Sequence, residues 1–266
     1  VTAIDDIVSS VQASRKYRHV CTATIRRIAA EEAAKRDTSK AAIKATKSRL
    51  HQAYGAYEAQ LDYDRAYQDL HAAYVSGDAQ EIRAVAHRLL ARHASTRERL
   101  PVLHRFYDAI FAHMGFPHAL LDLACGLNPL SLPWMHLDSG TAYHAYDIDA
   151  ERIAFLDQFF ALTDVEGRAY CQDLICDPPQ QQADVALLLK TAICLERQRQ
   201  GSTLALIDCL NVAYVVVTFP VKSLGRREKG MAEQYERTFT DMLSTRPWPV
   251  TQLDLPGELA FVVDKR

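Results

Sequence analysis

The chain has 266 residues, 48% of them hydrophobic and 24% charged, a globular composition with room for one large domain or for a catalytic domain carrying a smaller helper. No stretch reaches the roughly 18 uninterrupted apolar residues of a membrane span, and the opening VTAIDDIVSS carries neither a basic region nor an apolar signal core, so the expectation is a soluble, cytoplasmic protein without a membrane partner. The net charge of −2 hides an asymmetry: residues 1–99 hold 17 Lys and Arg against 12 Asp and Glu, whereas residues 100–266 hold 14 against 21, which confines any attraction for a polyanion to the N-terminal part.

Residues 1–111 are rich in Ala, Arg, Glu and Lys, poor in Pro and Gly, and spaced with apolar residues three and four apart. That period predicts several short helices. Ile4, Ile7, Val8 and Val11 form one apolar face and Ile25 with Ile28 another, while Gly77-Asp78 breaks the pattern ahead of a helix over residues 79–92. After Gly115 the texture changes to short apolar runs bounded by Gly, Pro, Asp and Asn, with helix-length stretches between them. Strands are expected at residues 119–123, 142–147, 169–172, 185–189, 214–219 and 259–263, and a helix at 195–210 as a right-handed crossover requires. Pro256-Gly257 predicts a turn into a terminal hairpin. The fold class is therefore α/β, a Rossmann-like sheet behind an all-helical N-terminal domain, with the boundary placed between 1–92 and 93–266. The six cysteines are scattered without the close pairs of a zinc site, so buried free thiols and no metal are expected.

Three segments carry chemistry at the ends of expected strands. In LLDLACGLNPLSL a strand reaches Asp122 and a short loop places Gly126 where the backbone can approach a ligand; a single glycine disfavours the pyrophosphate fingerprint. In YHAYDID a strand ends on Asp147, 25 residues after Asp122, the spacing at which a carboxylate accepts ribose hydroxyls. In YCQDLIC, Asp173 can accept from an adenine amino group with Leu174 against the ring. Ahead of them, HASTRERL spaces Ser95 and Glu98 as a capping box and offers Arg97 or Arg99 to a ligand carboxylate. Beyond them, FPVKSLGRREKGM presents Lys222, Arg226, Arg227 and Lys229 as phosphate contacts.

Together with SRKYRHV near the N-terminus, QDL at 172–174, LLLK at 187–190 and LERQ at 195–198, these motifs resemble the aminoglycoside-resistance 16S ribosomal RNA methyltransferases that modify N7 of a decoding-site guanine. The resemblance spans nearly the whole chain and implies a class I methyltransferase fold using S-adenosyl-L-methionine, with 16S rRNA of the small ribosomal subunit as partner. It implies that His93, Ala94 and Ser95 border the cofactor and that Arg99 meets its carboxylate. Ala124 and Gly126 would line the methionine part, Asp147 the ribose, Asp173 and Leu174 the adenine, with Leu189, Gln198 and Tyr57 as further contacts. Lys190 and Arg227 match positions near the target nucleotide, and Arg15, Lys16 and Arg18 are expected on rRNA phosphates. The loop departs from the family at Arg226 and Glu228. Guanine N7 bears a lone pair and no proton, so no catalytic acid or base is expected. Two other readings share these residues: a small-molecule methyltransferase, and a non-catalytic RNA-binding protein with a cofactor-like pocket.

Overall fold

Strand β4 (Ala183–Leu189) shows how the sequence builds the sheet: Val185, Leu187 and Leu189 point into one apolar layer while Ala186 and Leu188 point into the other. A strand buried on both faces needs helices on both sides, and the computed structural model, which describes residues 3–52, 61–220, 230–255 and 257–266, supplies them. The other strands are β1 (Ala119–Leu123), β2 (Ala142–Asp147), β3 (Glu166–Cys171), β5 (Val212–Pro220), β6 (Val250–Leu255) and β7 (Glu258–Asp264), in the order β3-β2-β1-β4-β5-β7-β6. The first five pair in parallel; β7 runs antiparallel to both β5 and β6. The expected terminal hairpin is present, with Gly257 at φ 86°; Pro256 lies outside the described residues.

Two expectations about elements change. β6 was not expected, because VTQLDL lies at the sheet edge with most of its side chains in solvent, and an edge strand shows little apolar contrast. The single helix at 195–210 is two, α9 (Ala192–Gln198) and α10 (Ser202–Cys209), divided where Arg199 is extended and Gly201 takes φ 78°. The cysteines also differ: only Cys125 is buried, Cys21 and Cys194 are half-buried, and Cys171, Cys176 and Cys209 are exposed.

Helices α4 (Tyr63–Ser76), α5 (Ala79–Leu90), α7 (Leu103–Met114) and α8 (Ala150–Phe160) cover one face of the sheet, joined by the 3-10 segment Asn128–Trp134. On the other face lie α9, α10 and α11 (Met231–Leu243). A separate apolar cluster is built from α1 (Ala3–Gln12), α2 (Thr22–Ala33) and α3 (Ser39–Leu50), around Ile7, Val11, Ile25, Ile28 and Leu50. This cluster is fastened to the end of β2: Ile148 packs into it, and Val20 bridges Asp149 through the Cys21 amide, which donates to the Ile148 carbonyl at 2.7 Å, and the Ala150 amide, which donates to the His19 carbonyl at 2.8 Å. No described helix is long and apolar enough to cross a membrane.

Candidate cofactor cavity

In an open parallel sheet the chain leaves neighbouring strands in opposite directions at one point, which opens a crevice beyond their carboxyl ends. Here β1 lies between β2 and β4, and a cavity of about 510 Å³ opens at that place. Its wall takes Ala124 and Gly126 from the loop after β1, Asp147 and Ile148 after β2, and residues 172–175 after β3. Leu189, Lys190 and Thr191 follow β4, and Gln198 comes from α9. His93, Ala94 and Ser95 close it from the short helix α6 (Ala94–Arg97). Of the described cofactor residues expected from sequence, all but Arg99 thus meet in one cavity.

The backbone is strained where this wall turns. Ala124 and Lys190, the residues leaving β1 and β4, hold left-handed φ values of 53° and 60°, which costs a non-glycine residue roughly 1–2 kcal/mol. Gly126 has φ 56°, and a Cβ there would stand 3.0 Å from His93 Cε1. An alanine there would carry the same backbone strain and would press on the His93 ring, which would have to give by a few tenths of an ångström.

Two of the cavity carboxylates, Asp147 and Asp173, are paired with buried arginines. Asp147 Oδ1 accepts from Arg152 Nη1 at 3.0 Å and Oδ2 accepts from the Gly126 amide at 2.9 Å. Burial would lower the Arg152 pKa, but Asp147, Tyr63 and Asp149 override it and raise it. Asp173 Oδ2 accepts from Arg27 Nε at 2.9 Å, with Nη2 in ion-pair contact at the same distance, while Oδ1 accepts from the Ile175 amide at 2.9 Å. Arg27 also donates from Nη2 to Gln198 Oε1 at 2.8 Å.

The third strand-end carboxylate is different. Asp122 is not on the cavity wall; it is buried behind it, where its Oδ2 accepts from Tyr143 Oη at 2.7 Å and Asn128 Nδ2 at 2.9 Å. Burial pushes its carboxyl up to about 6 against these two hydrogen bonds. Its role is to fix Asn128, whose Oδ1 in turn accepts from Arg99 Nη1 at 2.7 Å. Arg99 itself is 2% exposed, forms an ion pair with Glu258 at 3.0 Å and stacks over Phe106. Its guanidinium is thus engaged behind the cavity and is not on the surface a ligand would meet.

The expected capping box does not form. Ser95 Oγ lies 2.9 Å from His93 Nδ1, and the Glu98 carboxylate takes the Lys190 ammonium at 2.8 Å. The residue at the helix start is His93, whose side chain makes no capping bond, so a box of the right spacing is diverted by nearer partners. Lys190, expected near the target nucleotide, has a side chain only 7% exposed and also pairs with Glu258 at 3.2 Å. Burial would raise the Glu258 carboxyl, and Arg99 and Lys190 together hold it below the usual carboxylate range.

Arg15, Lys16 and Arg18 are exposed in the connection between α1 and α2, as phosphate contacts must be. Tyr57, Lys222, Arg226, Arg227 and Lys229 lie outside the described residues. Sequence reasoning missed Thr24 and Arg27, which α2 brings to the cavity wall, and Arg152. Arg152 carried a signal, a cation in the first helical turn after a strand-end Asp; Arg27 carried none, since its partner is 146 residues away.

The cavity fits an adenosyl sulfonium. It offers acceptors at two strand ends for hydroxyl and amino groups, and apolar walls in Leu174 and Leu189 for a ring. Among the described residues no three His, Cys, Asp or Glu side chains gather as a metal site.

Comparison with known proteins agrees. Residues 13–262 match the family model described as ribosomal RNA methyltransferase (FmrO). The chain is 43% identical over 265 residues to the 16S rRNA (guanine(1405)-N(7))-methyltransferase of Micromonospora echinospora, covering 98% of this chain and 97% of that protein. With the enzyme of the same name from Serratia marcescens it shares 37% identity over 98% of both chains. Among solved structures, the 16S rRNA methyltransferase RmtF in complex with S-adenosyl-L-homocysteine superposes with a TM-score of 0.83 at 30% identity, over 100% of this chain and 99% of that one. The chain belongs to the FmrO family of ribosomal RNA methyltransferases, enzymes of the class I fold that use S-adenosyl-L-methionine.

Proposed function

We propose that this enzyme transfers a methyl group from S-adenosyl-L-methionine to N7 of a decoding-site guanine in 16S rRNA, acting on the small ribosomal subunit and so conferring aminoglycoside resistance. The observation that carries this reading is the pairing of Asp147 and Asp173 at successive strand ends of one cavity, on a chain whose full-length relatives are named for that reaction. The cofactor, when bound, would supply an electrophilic methyl group carried on a positively charged sulfur. Asp147 accepts from the ribose hydroxyls and Asp173 from the adenine amino group, and their arginine partners keep both carboxylates in place.

Because N7 has a lone pair and no proton, the protein supplies position and no proton transfer; alignment of reactants can lower a barrier by up to about 7–11 kcal/mol. In A-form RNA, N7 faces a deep, narrow groove that side chains do not enter, so the guanine must leave its stack, at a cost of a few kcal/mol. Met231 and Tyr235, the latter stacked on Phe219 at 5.3 Å, form an apolar wall at the cavity against which an extruded base can rest. Residues 1–92 serve as the RNA-gripping part, with Arg15, Lys16 and Arg18 on phosphates that offset this cost.

The test is methyl transfer from radiolabelled S-adenosyl-L-methionine to purified small subunits, with the modified nucleotide mapped. Label on N7 of a decoding-site guanine is expected; label elsewhere, or none while a related enzyme labels the same subunits, would sink the reading.

A further inference from the structure

Cys21 and Cys171 are 150 residues apart in sequence and meet where the helical cluster joins the sheet. Cys21 directly precedes α2, and Cys171 is the last residue of β3, an edge strand. Both approach the loop after β2: the Ile148 carbonyl accepts from the Cys21 amide at 2.7 Å and lies 3.8 Å from Cys171 Sγ. Cys21 Sγ stands 3.8 Å from the Cys171 carbonyl oxygen, and the two thiols are in hydrogen-bond contact with each other. Neither lines the cofactor cavity; Cys171 is exposed to solvent and Cys21 is half-buried.

The two sulfurs are not equivalent. The Cys171 thiol, as hydrogen-bond partner, holds Cys21 below the usual thiol range against the effect of burial, and the Thr24 and Ala23 amides at the start of α2 act in the same direction. The same contact, together with burial, pushes Cys171 up. A thiolate at the start of a helix is the nucleophilic form of cysteine, and here a protonated thiol that solvent reaches stands beside it. One attacking and one resolving cysteine convert oxidation into a disulfide before a sulfenic acid can be oxidised further.

We propose that Cys21 and Cys171 form an oxidation site for hydroperoxides, whose disulfide clamps α2 to the sheet. The Cys21 thiolate attacks the peroxide; its sulfur takes one oxygen as the O–O bond breaks, and the other oxygen leaves as water or an alcohol, taking up the proton that Cys21 had released. The Cys171 sulfur then attacks the sulfenic sulfur. The S–S bond forms, the S–O bond breaks, and hydroxide leaves as water with the Cys171 proton. Together the two cysteines lose two electrons and the peroxide gains them. In a reducing compartment the pair rests as a dithiol, and exchange with an external thiol restores it after oxidation. The closed form joins the helix that carries Arg27 to the strand that leads to Asp173, adding a covalent bond to a junction of apolar contacts, hydrogen bonds and ion pairs.

The experiment treats the full chain with equimolar hydrogen peroxide near neutral pH and reads the products by intact mass and by peptide mapping without reduction. Expected are a mass lower by two hydrogens, a cross-link between Cys21 and Cys171, and return of the starting mass with dithiothreitol. The cross-link should form at least about tenfold faster than oxidation of Cys209, which is exposed at the end of α10. Cys171→Ser should instead leave on Cys21 a sulfenic acid that dimedone traps. A cross-link between other cysteines, or oxidation of Cys21 no faster than that of Cys209, would overturn the site, and the wild-type chain decides this even if the variant does not fold. Hydrogen exchange tests the clamp: the disulfide form should exchange at least about tenfold more slowly in α2 than the reduced protein, and unchanged exchange would overturn it.

Discussion

The two carboxylate–arginine pairs of the cavity use the same chemistry at opposite ranges. Asp147 and Arg152 are five residues apart, on one strand and the helix that follows it. Asp173 and Arg27 are 146 residues apart and join the sheet to the helical cluster. The local pair needs only a β-strand followed by a helix; the distant one exists only once two apolar clusters have docked. Half of the cavity is therefore secured by a single supersecondary unit, and the other half by tertiary assembly.

Breaking each pair should expose that difference. Arg152→Met and Arg27→Met each leave a buried carboxylate uncompensated, at a cost of about 3–5 kcal/mol, measured by urea unfolding. Hydrogen exchange then separates them: Arg152→Met should lower protection across the sheet, and Arg27→Met first in α2. Equal loss in both regions would mean that the two clusters unfold as one. Next in size is cofactor binding. Asp147 is expected to accept two hydroxyls and Asp173 one amino group, so Asp147→Ala should weaken S-adenosyl-L-homocysteine at least about a hundredfold and Asp173→Ala about tenfold, read by calorimetry; the reverse order would undo the assignment of ribose and adenine.

Asp122 sharpens the comparison, because it is held by two neutral donors where the others have arginines. Its folded-state value of about 6 lies above its ordinary 3.8. The stabilising contribution of a raised carboxyl is complete below pH 3.8 and disappears as pH rises through about 6, so ionisation here costs stability, up to about 2–3 kcal/mol. Asp122→Asn should flatten thermal stability between pH 4 and 7 relative to wild type; parallel curves would argue against the shift. The smallest effect belongs to the backbone: Gly126→Ala should cost about 1–2 kcal/mol through its left-handed φ, with added crowding at His93, and a neutral result would mean that the loop relaxes freely.

The same contrast of range explains what the sequence made legible. Strands β1, β2 and β4 announce themselves as apolar runs, and Asp147 and Asp173 could be named because they sit where expected strands stop. Leu189, Gln198 and the His93–Ser95 segment were placed by resemblance, and the cavity gathers them. What sequence could not give was competition between partners. Ser95 and Glu98 have the spacing of a capping box, but His93 and Lys190 take them first. Arg99 was offered to a ligand, while Glu258, from the far end of the chain, holds it. The division into residues 1–92 and 93–266 stands as an expectation; in the structure the apolar contacts of α4 and α5 run to the sheet, and α1–α3 form a cluster of their own.

The bridge from Val20 to Asp149 bears on how such enzymes could be recombined. It ties the connection that carries Arg15, Lys16 and Arg18 to the loop immediately after Asp147. A chimera that grafts the first three helices of one relative onto the sheet of another must therefore transplant Ile148 and Asp149 with them, together with Asp173 to meet Arg27. Natural exchange of RNA specificity between relatives would face the same requirement, so the helical cluster and these loops should vary in concert across the family.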